Sequence, residues 1–256
     1  IAIKNYTPNT FLTGWDTLHP EFNYGIYWRR MLSGVWQNHQ GLGAVSTQAH
    51  ASEIPRVIIL MFLDIFLKTN QVRYAYAFLM LIFGPLGVYF LLQYIFKQRK
   101  YSSLGFAPFI GGLVYLLNLG VLQQFVVPLE MFLTHFGFLG WFYLSLLLLL
   151  QNSKRRKYFL IFIGINFLMA SQAHTSTLFF AHLMMLSVFL FFYILLQIFS
   201  GSGAIKKVLI SSVIIFSLTI ISNLFWLLPN VYFVLNHSLE VRDAKITRLF
   251  SQEAFL

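Results

Sequence analysis

The sequence predicts an all-α fold, a polytopic transmembrane helical bundle with in-plane amphipathic helices in its first outer loop. Three observations predict it. Of 256 residues, 58% are apolar and only 10% charged. Leu, Ile and Phe recur in unbroken blocks that approach the roughly 20 residues needed to cross about 30 Å of hydrocarbon. The basic residues gather between those blocks. A mean hydropathy of +0.70 leaves too little polar surface to coat a water-soluble globule. The blocks are continuous rather than alternating, which selects helices over barrel strands. The sequence contains no cysteine, so it offers no disulfide and no thiolate metal site.

Residues 1–71 read as an outer loop with two interfacial helices. After Pro20, a natural first-turn residue, Tyr24, Tyr27, Trp28, Met31, Leu32, Val35 and Trp36 recur at three- and four-residue spacing and form one apolar face. Arg29, Arg30, Ser33 and Gln37 take the other side, and the Gly41-Leu42-Gly43 turn ends the helix. An aromatic-faced, basic-backed helix of this kind lies in the membrane plane and meets anionic headgroups. Ile54 to Leu67 is apolar apart from Arg56 and Asp64, and its 14 positions reach only about 21 Å as a helix. It therefore reads as a second interfacial helix, with Asp64 at a headgroup boundary rather than mid-membrane.

Residues 72–229 read as a six-span bundle, with spans near 72–96, 104–122, 136–151, 158–171, 177–199 and 208–229. Three connections carry Lys97, Arg99 and Lys100, then Lys154 to Lys157, then Lys206 and Lys207, with no acid among them. The positive-inside rule assigns all three to the cytoplasm, and they fall on alternate connections as threading requires. The formal charge of +10 is thus a topology signal and not a nucleic-acid footprint. The expected localisation is the cytoplasmic membrane, multi-pass, with 1–53, 123–135, 172–176 and 230–256 facing outward and any active site with them. Starting at Ile1 and stopping within a polar outer segment, the sequence reads as a fragment truncated in that segment.

An outer loop with Gly14-Trp15-Asp16, an amphipathic helix with Trp28-Arg29-Arg30 and Val35-Trp36, the Gly41-Leu42-Gly43 turn and a span ending Gly87-Val88-Tyr89-Phe90 before Lys97 carry a resemblance. The chain resembles the N-terminal module of the GT-C superfamily of membrane glycosyltransferases, most of all the bacterial branch with YfhO-type proteins and the mycobacterial arabinofuranosyltransferases. The likeness covers about residues 10–122 by motif and the rest by helix pattern. It implies an outward-facing active site, a polyprenyl-phosphate-linked sugar donor, a glycan, lipid or protein acceptor, and an essential acid in the first outer loop. Asp16 stands in that place, single where some members carry two adjacent acids.

The residues can be read beside that likeness. Glycosyl transfer to an alcohol needs a carboxylate to take the acceptor proton and a cationic centre or a metal such as Mg2+ or Mn2+ to meet the departing phosphate. Asp16 is the candidate base or metal ligand, with Trp15 able to stack on a sugar face and His19 nearby; the same Asp16 is also a plausible helix or turn cap. Glu130 stands in an apolar outer connection, either supporting Asp16 or pointing to water. Arg29 and Arg30 either clamp a lipid phosphate or meet bulk headgroups. His19, His39, His50, His135, His174 and His237 fall in outer segments, and His50 and His174 are the candidate phosphate donors. No histidine pair has the spacing of a helical zinc motif. A transporter, a lipid or glycan flippase, or a non-catalytic scaffold are the alternatives; a carrier would show ionisable groups or broken helices near the midplane, where only Asn118, Asn166, His182 and Pro85 stand out.

Overall fold

The structure, a computed structural model, describes residues 6–12, 23–32, 36–37, 44–45, 50–98, 105–125, 130–151, 155–174, 176–200 and 205–243. They form helices α1 (Tyr24–Leu32), α2 (Ile54–Asp64), α3 (Thr69–Gln98), α4 (Ala107–Leu116), α5 (Leu119–Leu122), α6 (Glu130–Gln151), α7 (Arg155–Met169), α8 (Ser176–Phe199), α9 (Ile205–Ile221) and α10 (Leu224–Asp243). Two 3₁₀ turns, His50–Glu53 and Ala170–His174, matter below. The only strands among the described residues are β1 (Trp36–Gln37) and β2 (Ala44–Val45), antiparallel with Trp36 opposite Val45.

That ladder corrects one expectation. The first interfacial helix is described to Leu32, and Trp36 and Gln37 lie in β1, so these two do not extend its faces; Val35 lies outside the described residues. Ser33 and Gly34 are weak helix formers, and β-branched Val35 with Trp36 favours extended backbone. Within α1 the expected face holds: Tyr27 and Met31 are buried, Tyr24 and Trp28 pack on the same cluster, and Arg29 is exposed. Leu32 belongs to the outside, at 74% exposure. The second short helix, α2, begins with Pro55 in its first turn, and its 11 residues reach about 16 Å, too short to cross.

Three described helices are long and apolar enough to cross a bilayer, or four if α9 and the first part of α10 count as one bent pair. Two of the six expected spans fall short of that test: α4 has 10 residues, about 15 Å, and α7 has 15, about 22 Å. The expected span at 208–229 is broken, with an angle of 73° between its halves. The break lies at Ser222–Asn223, not at Pro229 or at Pro85, through which α3 runs on. Ser222 Oγ donates to Leu218 O at 2.7 Å and Asn223 Nδ2 to Thr219 O at 2.8 Å, while Asn223 Oδ1 accepts from Trp226 Nε1 at 2.7 Å. Side chains bonding back to the helix in this way compete with its continuation. Asn118 acts similarly between α4 and α5, donating to Tyr115 O and accepting from Val121 N.

Contacts order α3, α4, α6, α7 and α8 along one another. Helices α3 and α6 run parallel, since Tyr76 bonds Thr134 near their starts and Tyr94 bonds Gln151 near their ends at 3.0 Å. The chain returns between them through α4, which runs antiparallel to α3 and brings Gly112 against Pro85 and Tyr115 against Phe136. Helix α7 descends beside α6 with Phe162 against Phe142, and α8 ascends with His182 against Phe142 and Phe189 against Tyr143. At the α3–α6 contact the backbones approach closely: a Cβ on Gly140 would lie 2.5 Å from Val88 N, and one on Gly87 2.7 Å from the Trp141 ring. Small residues that let backbones approach are how helices associate where lipid removes the hydrophobic drive. The three basic connections consequently gather at one end, and both 3₁₀ turns, the starts of α3, α6 and α10, and helices α1 and α2 gather at the other.

Candidate functional site at the capped end

The end opposite the basic connections is closed by a cap of polar side chains withdrawn from solvent. Tyr27 of α1, Ser52 and Glu53 of the first 3₁₀ turn and Arg56 of α2 are all at or below 1% exposure. Arg56 Nε pairs with a Glu53 carboxylate oxygen, and Arg56 Nη2 donates to the Tyr27 hydroxyl at 3.1 Å. That hydroxyl donates in turn to Glu53 Oε2 at 3.4 Å. The spacing explains the pair: Glu53 and Arg56 are three apart, one turn of helix, across the Pro55 that starts α2. Removing two charges from water costs several kcal/mol per ion, which only good geometry and further hydrogen bonds offset. Tyr27 supplies such bonds from 26 residues away and thereby fixes α1 on α2, with Tyr24 reaching Leu60 O and Trp28 reaching the Met61 sulfur.

The cap has a second wall. The turn Ala170–His174 packs against the turn His50–Glu53, and Ser171 Oγ donates to Ser52 O at 3.2 Å. Ala170, Ala173, Phe179 and Trp226 make a buried apolar cluster there that takes in Ala51. The Ser52 hydroxyl, sealed from solvent, has no hydrogen-bond partner among the described residues. A buried hydroxyl left unpaired costs about 1–3 kcal/mol.

The sequence-predicted residues distribute unevenly over this cap. His50 opens the first 3₁₀ turn and His174 closes the second, so the two candidate phosphate donors stand on segments that pack together. Glu130 is the first residue of α6, whose N-terminal part packs on the second turn. Arg29 is exposed and Arg30 half-buried on α1, and neither belongs to the Tyr27 cluster. Trp15, Asp16 and His19 lie outside the described residues, as does His39. Their flanks are placed: Arg73 Nη1 holds Leu12 O at 2.8 Å, Asn70 bonds the Tyr6 hydroxyl at 2.9 Å, and Asn23 caps Ile26 N at the start of α1. Among the described residues no three His, Asp or Glu side chains converge as a metal site would require, so no metal ligand set is assigned there.

Tyr27, Ser52, Glu53, Arg56 and Ser171 are the polar residues that sequence reading passed over. The signal for two of them was present in Glu53-Ile54-Pro55-Arg56, an opposite-charge pair one helical turn apart at the mouth of an apolar run. Asn166 and His182, which stood out in the sequence, are among the polar side chains buried within the helices. Asn166 Nδ2 is tied to Phe162 O at 2.8 Å, whereas His182, 1% exposed, packs edge-on to His135 with ring centroids 5.6 Å apart. Asp64 ends α2 half-buried, with Oδ1 shut off from solvent. No family model, curated protein or solved structure matches this chain.

Proposed function

We propose that this chain acts as a membrane glycosyltransferase of the GT-C type, moving a sugar from a polyprenyl-phosphate donor to a glycan, lipid or protein acceptor outside the cytoplasm. The observation that supports it is the gathering, at the end of an apolar bundle away from the basic connections, of the segments that carry His50, Glu130 and His174 around a buried ionic cap. An enzyme acting on a lipid-linked sugar needs its polar groups collected at one membrane face, with the apolar body sunk in lipid.

In the proposed reaction the acceptor hydroxyl gives its proton to Asp16 as its oxygen bonds the anomeric carbon. The bond from that carbon to phosphate oxygen breaks, and polyprenyl phosphate leaves with the electron pair. Arg29, Arg30, His50 and His174 are the proposed partners of the phosphate, Trp15 and His19 of the sugar, and Glu130 supports Asp16. Mg2+ or Mn2+ bound by Asp16 would add charge stabilisation at the leaving phosphate. The Tyr27–Glu53–Arg56 cluster positions the His50 turn and is assigned no contact with substrate.

Asp16→Asn in vesicles holding a polyprenyl-phosphate sugar is expected to lower transfer by at least about 100-fold, the low end for loss of a positioned base, while donor binding persists. Sugar transfer at the unmodified rate by that variant would overturn the assignment. A carrier or flippase is the second reading, favoured by the 73° break between α9 and α10. That break sits beside the cap, where Trp226 meets Ala170 and Ala51, and not at mid-height. A carrier would move its substrate undisturbed by Asp16→Asn.

A further inference from the structure

Between the second halves of α3, α6 and α8 runs a groove of about 1340 Å³, open along its side and larger than the roughly 300–1,000 Å³ of clefts for small soluble ligands. It lies at the end with the basic connections, away from the cap, and owes nothing to the glycosyltransferase reading. Its chemistry changes along its length. The deeper part is walled by Leu91, Leu147, Met184, Val188 and Phe192, and the mouth by Tyr94, Gln98, Gln151, Gln197 and Ser200. The mouth residues lie at or near the ends of α3, α6 and α8, so the gradient from apolar to polar follows the bundle axis. The trough is open to the surroundings: Met184 is 66% exposed, Val188 50% and Phe192 58%.

The charges described at this end are cationic. Lys97, Arg156, Lys157, Lys206 and Lys207 are all exposed there, whereas Glu53, Asp64 and Glu130 belong to segments at the opposite end. Lys97 follows Tyr94 by three positions and precedes Gln98, so it stands beside the groove mouth without lining it, within reach of a headgroup through its long side chain. The carbonyls that end α3, α6 and α8 add partial negative charge, about half a unit per helix, which five full cations exceed.

We infer that this groove binds one anionic phospholipid, with an acyl chain along the Met184–Phe192 trough and the headgroup phosphate at Lys97 among the glutamine amides. An apolar trough that closes in uncharged hydrogen-bond donors and then in cations repeats, in order, the chain, glycerol backbone and phosphate of such a lipid. Neither a soluble anion nor a purely apolar molecule would satisfy both halves of the groove.

The test uses the full chain in phosphatidylcholine vesicles with a photoreactive diacyl phosphatidylglycerol. Labelled peptides are expected within residues 91–98 and 184–200, with the matching phosphatidylcholine probe labelling them less. Lys97→Gln, a change at an exposed side chain, is expected to cut that preference about fivefold, the share of one cation near an anionic surface. Val188→Trp should block the trough and abolish labelling there while leaving labelling of the α9 outer face intact, which separates blockage from misfolding. Labelling spread evenly over α8 and α9, unmoved by either substitution, would overturn the proposal. So would chain-to-chain crosslinks through Val188, which would identify a second copy as the occupant.

Discussion

Helices α6 and α8 are close in length and both strongly apolar, yet they live in different surroundings. In the most apolar 18-residue window of α6, within Phe132–Gln151, 56% of the residues are buried; in that of α8, within Thr177–Phe199, only 22% are. The more hydropathic of the two is the more exposed, with mean hydropathies of 1.7 and 2.3. What separates them is therefore not greasiness. Helix α6 carries Gly137 and Gly140, which seat it on α3, and Thr134 and Ser145, which bond Tyr76 and the Phe142 carbonyl. Helix α8 shows Phe180, Met184, Phe191 and Phe199 to the outside, as a lipid-facing helix does. Large apolar residues occur on both sides, Phe142 and Leu146 buried and Phe191 and Phe199 exposed, so it is the glycines and hydroxyls that mark the packed helix.

That contrast can be broken deliberately. The largest effect is expected at the polar cap over the packed side. Arg56→Met leaves the Glu53 carboxylate buried without its cation and should destabilise the detergent-solubilised chain by about 3–5 kcal/mol, read by thermal or denaturant unfolding. Adding Glu53→Gln should recover much of the loss, because the desolvated charge is then gone; no recovery would mean that the pair holds more than its own charges. Gly140→Leu should follow, at about 1–3 kcal/mol or somewhat more, because its side chain meets the Gly87–Val88 backbone, which cannot turn aside. Measured beside it, Phe191→Leu on the outer face of α8 should cost no more than about 0.5 kcal/mol. A Phe191 effect as large as that of Gly140 would show that α8 is packed on protein in the membrane.

Much of this architecture was legible in the residues. Apolar blocks, the gathering of Lys97, Arg156 and Lys206 at one end, and the Tyr27–Met31 face of α1 follow from hydropathy, charge and helical period, which are sums over neighbours. Helix ends were less legible. Leu116 and Ile221 are followed closely by Asn118 and Asn223, which turn the chain with a pair of side-chain hydrogen bonds each that no hydropathy window registers. The parallel seating of α3 on α6 escaped for a related reason, since spacing within one helix does not reveal which other helix its glycines meet. Of the candidate site, the positions of His50 and His174 at a common end were foreseeable from threading. The burial of Glu53 and Arg56 was not, because it depends on Tyr27 and on a turn more than 100 residues downstream.

That distance bears on how the molecule is made. Ser171 reaches Ser52 across 119 positions, and Trp226 joins the same cluster from still later in the chain. Pairings so remote in sequence form slowly, since a long loop must close before any contact rewards it. During synthesis Arg56 and Glu53 leave the ribosome well before the walls that will cover them exist. The enclosure is a late event in assembly, complete only once the final described helix has packed on the His50–Glu53 turn.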